Sequence, residues 1–394
     1  MGNEAELWRA VEAHRQGLVA FAQKLVQTPS PSGQEGEVAE LVRAEMERLA
    51  YDSVEVDAVG NVRGRVAGGD GPALMFNGHM DHVAPGDAAD WRYPPFGGEI
   101  HAGELWGRGS VDMKGALAAM VYAGGLLKKL AVPLPADLYV AGVVQEEVGG
   151  LGSRHLARTL LVSRAVVGEA SANDLRRGHR GRVELVVHLE GRAVHASMPH
   201  LGVNPHYSLA RFVSGLRTLS LATDPTYGAS TVAPTCVLSE PESTNVTPDR
   251  LHLTLDWRNI PGEGAEEVVA QVEALLERSL EPGCRGRVEL AARKLTSYTG
   301  VEMSYPDIFP SFTTAADEPW LLRARTALEG ALHRRVGIDT WPFATDGGHF
   351  AAAGMTVIGL GPGDDRLVHT VEERLPLEQL VESTVAYMAL ALLK

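Results

Sequence analysis

Several acidic residues and two histidines of the sequence stand directly after short apolar runs or glycine-rich turns. In a parallel α/β sheet, side chains that follow the carboxyl ends of the strands converge on one crevice at the edge of the sheet. Histidine nitrogens and carboxylate oxygens that meet there suit zinc or a similar divalent ion, with cobalt and manganese as alternatives. The residues concerned are His79, Asp81, Asp112, Glu146, Glu147, Glu169 and His369.

So many carboxylates in one place would repel each other strongly without cations. We therefore predict two divalent ions, which need one carboxylate between them and separate ligands on each side. Asp112, which opens a helix after a glycine-rich turn, is the candidate bridge. His79 and Glu169 would complete one site, and Glu147 and His369 would complete the other.

Two further acidic residues of this set are predicted to have roles other than binding metal. Glu146 directly precedes Glu147, and a kink in that short loop would leave its carboxylate free. A free carboxylate beside metal-activated water is a general base, which takes a proton from the water and returns it to a leaving amine. Asp81, two residues after His79, is expected to accept the second ring N–H of that histidine and fix its tautomer.

The apolar runs that precede these residues are continuous rather than alternating, as strands covered on both faces should be. The pattern predicts buried strands at 73–76, 138–144, 165–167 and 356–358. Helical periodicity predicts helices at 4–26, 35–48, 113–130, 318–333 and 377–393. Strands that alternate with helices in this way predict an α/β fold with a mostly parallel sheet flanked by helices.

The middle of the chain follows another pattern. A strand, a helix, two strands, a helix and a last strand are predicted at 183–189, 205–219, 231–238, 250–257, 266–280 and 287–292. This β-α-β-β-α-β order is that of a ferredoxin-like split sandwich. Because the unit is complete in itself, we predict a second domain at 181–293, inserted into a catalytic domain formed by 1–180 and 294–394.

Composition excludes several classes of protein. With 394 residues, 45% of them hydrophobic and 22% charged, the chain is expected to be globular. Its formal charge of -14 makes nucleic acid a poor partner, because an acidic surface repels phosphate backbones. The polar, acidic start and the lack of a long apolar run predict no secretory signal and no membrane span, and two cysteines without a CxxC motif favour a reducing, cytoplasmic location.

Taken together and in order, the motifs resemble those of the co-catalytic zinc amidohydrolases. That family includes acetylornithine deacetylase, succinyl-diaminopimelate desuccinylase, aminoacylase and carboxypeptidase G. The resemblance covers nearly the whole chain, with the inserted domain in the expected place. Its motifs are His79-x-Asp81, Gly107-Arg108-Gly109-Ser110-x-Asp112-Met113-Lys114-Gly115, Glu146-Glu147, Gly168-Glu169 and the late His369.

The resemblance implies the same metal ligands and the same general base that the residue types and their positions predict. It also adds further expectations. The Asp112–Met113 peptide is expected to be cis. Within this family, a glutamate rather than an aspartate at the position of Glu169 goes with deacylases and carboxypeptidases, which favours a small N-acyl substrate with a free carboxylate. Family members of this kind imply a homodimer formed through the inserted domain.

The inserted domain carries three positions that the resemblance marks as functional. His195, in Gly191-Arg192-Ala193-Val194-His195, resembles the lid histidine that helps to stabilise the oxyanion of the tetrahedral intermediate, from the same subunit or from the partner of a dimer. Asn245 and Arg258 resemble positions that contact substrate, and an arginine fork suits a carboxylate. A structural ion pair or a local turn is the alternative role for both.

Two residues depart from the family pattern. His82 follows Asp81 where a small or apolar residue is common, so it could crowd the site or shape its rim. Phe343 and Ala344 stand in the late pocket loop where glycine or serine is common, which leaves the width of the pocket and therefore the substrate open.

The function predicted from these residues is hydrolysis of a linear amide bond by metal-activated water, in an N-acyl amino acid or a related small metabolite. A dipeptidase or aminopeptidase with the same chemistry is the near alternative. A metal-binding homologue whose catalysis has lapsed is the alternative from another class, and the retention of Glu146 and Asp81 argues against it.

Overall fold

The computed structural model describes residues 4–393. The helices in this range are α1 (Glu4–Gln27), α2 (Gly36–Arg48), α3 (Gly115–Lys129), α4 (Leu151–Thr159), α5 (Pro205–Leu216), α6 (Ala265–Ser279), α7 (Pro319–Leu332), α8 (Gly347–Ala352) and α9 (Leu377–Ala391). Shorter helical turns lie at Ala88–Asp90, Ser110–Lys114, Pro199–Leu201 and Asp365–Leu367. No helix among the described residues combines the length and the apolar character that crossing a bilayer requires.

The strands are β1 (Ser53–Val56), β2 (Val62–Asp70), β3 (Leu74–His79), β4 (Glu99–His101), β5 (Glu104–Trp106), β6 (Ala136–Val143), β7 (Arg164–Val167), β8 (Leu175–His179), β9 (Arg182–Glu190), β10 (Val194–His195), β11 (Thr223–Asp224), β12 (Gly228–Ala229), β13 (Thr231–Glu240), β14 (Val246–Thr247), β15 (Arg250–Arg258), β16 (Arg285–Leu290), β17 (Ala292–Thr296), β18 (Glu302–Pro306), β19 (Ile308–Phe309), β20 (Phe312–Thr313), β21 (Ile338–Trp341), β22 (Thr356–Gly359) and β23 (Arg374–Pro376).

The largest sheet has nine strands and is parallel at its centre. Strands β6, β3, β7 and β22 lie side by side and run in the same direction. They are the four strands predicted from the continuous apolar runs, so the mainly parallel α/β sheet is confirmed. Towards the edges, antiparallel pairs extend the sheet through β2 and β1 beyond β6, and through β8 and β20 beyond β22. The ninth strand, β21, is parallel to β8.

Alternate side chains of the central strands enter two different hydrophobic clusters. Phe76 and Val166 pack in the larger cluster with residues of α1, α3 and α9. Met75 and Val167 pack on the opposite face with residues of α4 and α8. Burial on both faces explains why these strands are apolar at every position.

The five helices predicted around the parallel sheet are confirmed, and two boundary differences matter for the site. The strand predicted at 73–76 continues to His79, because its backbone pairs with β6 as far as Val143. The helix predicted from Met113 begins instead at Gly115, because Asp112 and Met113 have non-helical backbone angles. His79 is therefore the last residue of a strand, and Asp112 lies in an irregular turn before a helix.

The middle of the chain forms a separate layer with its own sheet. Strands β13, β15, β9 and β16 lie in that order, each antiparallel to its neighbour, and the short β19 also pairs with β9. Inward-facing residues of this sheet and of α5 and α6 form a hydrophobic cluster distinct from those of the large sheet. The side chains of β9 alternate between buried and half-buried, which is typical of a sheet covered on one face.

A candidate metal centre at the end of the central strands

Three side chains from separate parts of the chain meet beyond the central strands. The Nε2 atom of His79, at the end of β3, lies 2.8 Å from Oδ1 of Asp112 and 3.6 Å from Oε1 of Glu169. Glu169 follows β7 by two residues. The donor atoms of these three buried residues all lie within 4.8 Å of one another, close enough to hold one metal ion.

A second group of donors shares Asp112 with the first. The Nε2 atom of His369 lies 3.1 Å from the other carboxylate oxygen of Asp112, Oδ2, and 3.1 Å from Oε2 of Glu147. These three donors also lie within 4.8 Å of one another. Since the two oxygens of Asp112 face different groups, its carboxylate has the geometry of a bridge between two ions.

The donor set fits divalent cations. Burial raises the pKa of Glu169 well above its usual range, and the nearby Asp112 carboxylate raises it further. Burial and Asp112 also raise the pKa of Glu147. Buried carboxylates beside other carboxylates favour their charged form only when cations lie next to them. Two imidazoles and three carboxylates are also the nitrogen and oxygen ligands that zinc and related ions accept.

The turn that presents Asp112 is held by a glutamate that the sequence patterns did not reveal. Oε1 of Glu373 accepts the backbone N–H groups of Val111 at 3.0 Å and Asp112 at 3.1 Å, and its Oε2 lies 2.5 Å from Nη1 of Arg108. Glu373 and Arg108 are both buried. The Asp112–Met113 peptide within this turn is cis, as the family resemblance implied. Glu373 lies four residues after His369, and no spacing rule predicts its contact with residues 111 and 112.

Replacing Glu373 with glutamine is expected to weaken metal binding about 10-fold to 100-fold, the usual effect of removing a group that orients a ligand. The amide keeps the size of the side chain but removes the charge that pairs with Arg108. Competition with a fluorescent chelator measures the affinity directly. The exposed Glu372 next to it, changed to glutamine, is the control, and equal affinities in the two variants would refute the role of Glu373.

Glu146 lies at the centre as a buried carboxylate that belongs to neither donor group. Its loop has the kink that a free carboxylate at this position requires, because Gln145 has a left-handed backbone with φ of 56°. The N–H groups of Glu146 and Glu147 are bound by the two oxygens of Asp81, at 3.1 and 3.3 Å, and that of Gln145 by Glu35 at 3.1 Å. Burial raises the pKa of Glu146 well above its usual range. The buried carboxylates of Glu35 and Asp81 therefore hold the backbone of this loop in place.

Asp81 contacts His79 differently from the prediction. The Nδ1 atom of His79 lies 3.0 Å from the backbone carbonyl oxygen of Asp81 and 3.5 Å from the nearer carboxylate oxygen. The carbonyl is the nearer acceptor for the ring N–H, so it fixes the tautomer together with the carboxylate. The carboxylate itself is occupied by the loop N–H groups and by the Ser32 hydroxyl, which donates a 2.6 Å hydrogen bond to it. Sequence patterns gave no sign of Ser32.

A cavity of about 220 Å³ opens over the two donor groups. It is lined by Asp112, Glu146, Glu147, Glu169, Phe343, Ala344, Asp365, Val368 and His369. Phe343 and Ala344, the departures from the family pattern, therefore form part of its wall. The loop that carries them is anchored by His179, whose Nε2 accepts the N–H of Thr345 at 3.1 Å.

His82 does not reach this cavity. Its Nε2 accepts the N–H of Ser30 at 2.9 Å, and its Nδ1 lies 2.8 Å from the carbonyl oxygen of Val83. The ring is buried and packs against Phe96. Both nitrogens are therefore used within the fold, and the crowding considered for His82 does not occur.

The three residues marked on the inserted segment do not line the cavity within one chain. His195 and Asn245 are neighbours, because β10 pairs with β14 and the N–H of Ala196 binds the carbonyl of Asn245 at 2.9 Å. Arg258 is occupied by an ion pair with Asp256, in which Nε lies 2.7 Å from Oδ1. His195 and Arg258 are exposed.

Comparison with known proteins adds an independent observation. A model of peptidase family M20/M25/M40 matches residues 75–393. The succinyl-diaminopimelate desuccinylase of Alkalilimnicola ehrlichii is 30% identical over 365 residues, which cover 88% of this chain and 90% of that enzyme.

Two solved structures have the same fold. The aminopeptidase PepT of Bacillus cereus superposes with a TM-score of 0.75 at 21% identity, covering 96% of this chain and 98% of that one. YxeP of Bacillus subtilis, described as a dinuclear metal-binding peptidase from the M20 family, superposes with a TM-score of 0.74 at 16% identity, covering 97% and 98%.

Proposed function

The chain belongs to peptidase family M20/M25/M40, and from that membership we propose that it is a metal-dependent amidohydrolase of the deacylase or carboxypeptidase type. Its substrate is an N-acyl amino acid or a related small metabolite, which it hydrolyses to a free amine and a carboxylate. The observation that carries this proposal is the shared carboxylate of Asp112, whose two oxygens face separate histidines. Among the curated relatives, a succinyl-diaminopimelate desuccinylase matches this chain over nine-tenths of the enzyme's length.

The proposed cofactors are two divalent ions, zinc first, with cobalt or manganese as alternatives. His79, Asp112 and Glu169 would hold one ion, and Asp112, Glu147 and His369 the other. A related fold, that of YxeP, is described as binding two metals. When bound, such ions polarise a carbonyl group and lower the pKa of water.

Glu146 is the proposed general base. Its carboxylate lines the cavity, belongs to neither donor group, and is held in place by the backbone contacts of its own loop. It would accept a proton from the attacking water and deliver it to the leaving amine. Asp81 supports this step indirectly, because it holds both Glu146 and the ring of His79.

The inserted segment at 181–293 is proposed to be a ferredoxin-like lid and dimerisation domain. Its edge strand β13 is exposed along most of its length, and Val237 and Leu238 are 49% and 60% exposed. An unpaired apolar edge of this kind favours pairing with a second copy of the chain. In such a homodimer, His195 would stabilise the oxyanion, from its own subunit or from the partner, and Asn245 and Arg258 would contact the substrate.

A peptidase acting on free-amine dipeptides is the second candidate, because the aminopeptidase PepT shares the fold over 96% of this chain. A lapsed, merely metal-binding homologue is disfavoured, because Glu146, which neither donor group uses, is retained beside both groups.

A substrate panel separates these candidates. We expect the metal-loaded protein to hydrolyse N-acetyl or N-succinyl amino acids with a kcat/KM at least about 10-fold above that for the matching dipeptides, a difference of about 1.4 kcal/mol in transition-state binding. Release of the free amine, followed by a ninhydrin-type assay, gives the rate. Turnover of the dipeptides alone would reject the deacylase proposal, and turnover of neither would favour the lapsed homologue.

A further inference from the structure

One carboxylate in the cavity has no part in the proposed reaction. Asp365 lines the cavity with Phe343, Ala344 and Val368, and it belongs to the short helical turn that precedes His369. Asp365 is half-buried. It is outside both groups of metal donors.

Within residues 4–393, the carboxylate of Asp365 has no hydrogen bond and no ion pair to satisfy it. The adjacent Arg366 is bound to Asp364 instead, with its Nε 2.9 Å from Oδ1 and its Nη2 2.6 Å from Oδ2. Arg366 reaches Asp365 only as a through-space charge. Asp364 caps the turn by accepting the N–H of Arg366 at 3.0 Å, so Asp365 is not needed for that purpose.

Among the residues that line the cavity, Asp365 carries a negative charge that the two proposed ions do not match. Four carboxylates, those of Asp112, Glu146, Glu147 and Glu169, are matched by the four positive charges of two divalent ions. Asp365 adds a fifth negative charge, and none of the lining residues is a lysine or an arginine. A narrow cavity with low-dielectric walls concentrates the field of such a charge.

We propose that Asp365 is a specificity-determining residue, which selects substrates with an ammonium group close to the scissile amide. This inference rests on the proposed function and names the substrate class of the same site. The ring of Phe343, in the same wall, could contact the cation through its face. With His369 bound to metal, none of the lining residues is a cationic side chain that could pair with a substrate carboxylate.

Two substrates could bring this ammonium group. One is the side-chain amine of an N-acyl diamino acid, and the other is the α-amine of a dipeptide. The matched pairs that distinguish them are Nα-acetyl-ornithine with Nα-acetyl-norleucine, and Ala-Ala with N-propionyl-alanine, since the members of each pair differ chiefly in the ammonium group.

A preference for Ala-Ala over N-propionyl-alanine would assign the ammonium group to a dipeptide and reject the deacylase proposal. With the metal-loaded protein, we expect Nα-acetyl-ornithine to have a kcat/KM about 10-fold to 100-fold above that of Nα-acetyl-norleucine, between the effects of exposed and buried charge pairs. In Asp365→Asn, that ratio should fall close to one. Asp317→Asn, which changes an exposed aspartate outside the cavity, is the control, and its ratio should equal that of the unchanged protein.

Calorimetric binding of the same four compounds to the metal-loaded Glu146→Gln protein gives the same comparison without turnover. The role of Asp365 would be overturned if the charged and neutral compounds had equal kcat/KM and equal affinity. It would also be overturned if the preference for the charged compound survived in Asp365→Asn. If the neutral compounds are hydrolysed as fast as the charged ones, the proposed amidohydrolase function stands and only this inference fails. If none of the four is hydrolysed while the binding preference persists, Asp365 keeps its role and the proposed function fails.

Discussion

Replacing Glu146 with glutamine is expected to lower kcat by about 100-fold to 10,000-fold, the usual contribution of a general base. Glutamine has the same shape but cannot accept a proton at pH 7. Because Glu146 belongs to neither donor group, the variant should still bind both ions with unchanged affinity. Steady-state kinetics on the best N-acyl substrate gives kcat, and elemental analysis of the same sample gives the metal content.

The alanine variant extends this test, because it also removes the bulk of the side chain and should lose at least as much activity. The control is Glu273→Gln, which changes an exposed glutamate on α6, in another layer of the structure. Full activity in Glu146→Gln would show that another group is the base. Loss of metal together with activity would instead make Glu146 a ligand.

Replacing Asp112 with asparagine is expected to have the second large effect, on metal binding first and on activity as a result. Each of its two oxygens faces a different histidine, so one substitution removes a negative charge from both donor groups. Both ions should bind more weakly, and activity at limiting metal should fall by more than the roughly 10-fold to 100-fold typical of residues that only support a ligand. Chelator competition measures the two affinities.

The bridge makes a sharper prediction than loss of activity alone. Substituting His79 should weaken one ion more than the other, whereas Asp112→Asn should weaken both. A circular dichroism melt of each variant in excess metal checks that it folds. If Asp112→Asn loses only one ion and keeps the other at full affinity, the carboxylate does not bridge.

The sequence was enough to predict the central strands and the residues gathered beyond them. Continuous apolar runs such as that before His79 identify strands buried on both faces, and the carboxyl ends of parallel strands must meet. The first donor group followed from that rule, because His79 ends β3 and Glu169 follows the adjacent strand β7 by two residues. The free carboxylate of Glu146 was predicted on the condition that its loop is kinked, and the positive φ of Gln145 that produces the kink could not be predicted from local patterns.

The residues that support the site could not be predicted in the same way. Glu373 reaches Asp112 from 261 positions away, and Ser32 reaches Asp81 from 49 positions away. Each contact depends on how loops from different layers pack, and neither local periodicity nor motif spacing records that. For the same reason, the sequence could not show that His82 stays out of the cavity. Its two ring nitrogens are hydrogen-bonded to Ser30 and Val83 within the fold.

The central claim is that two cations share the carboxylate of Asp112. The most direct test is elemental analysis of the purified, active protein after gel filtration in metal-free buffer, followed by titration with a chelator. We predict two divalent ions for each chain, activity that falls as the chelator removes them, and recovery when zinc, cobalt or manganese is returned. Protein that is fully active, free of metal and indifferent to the chelator would contradict the account.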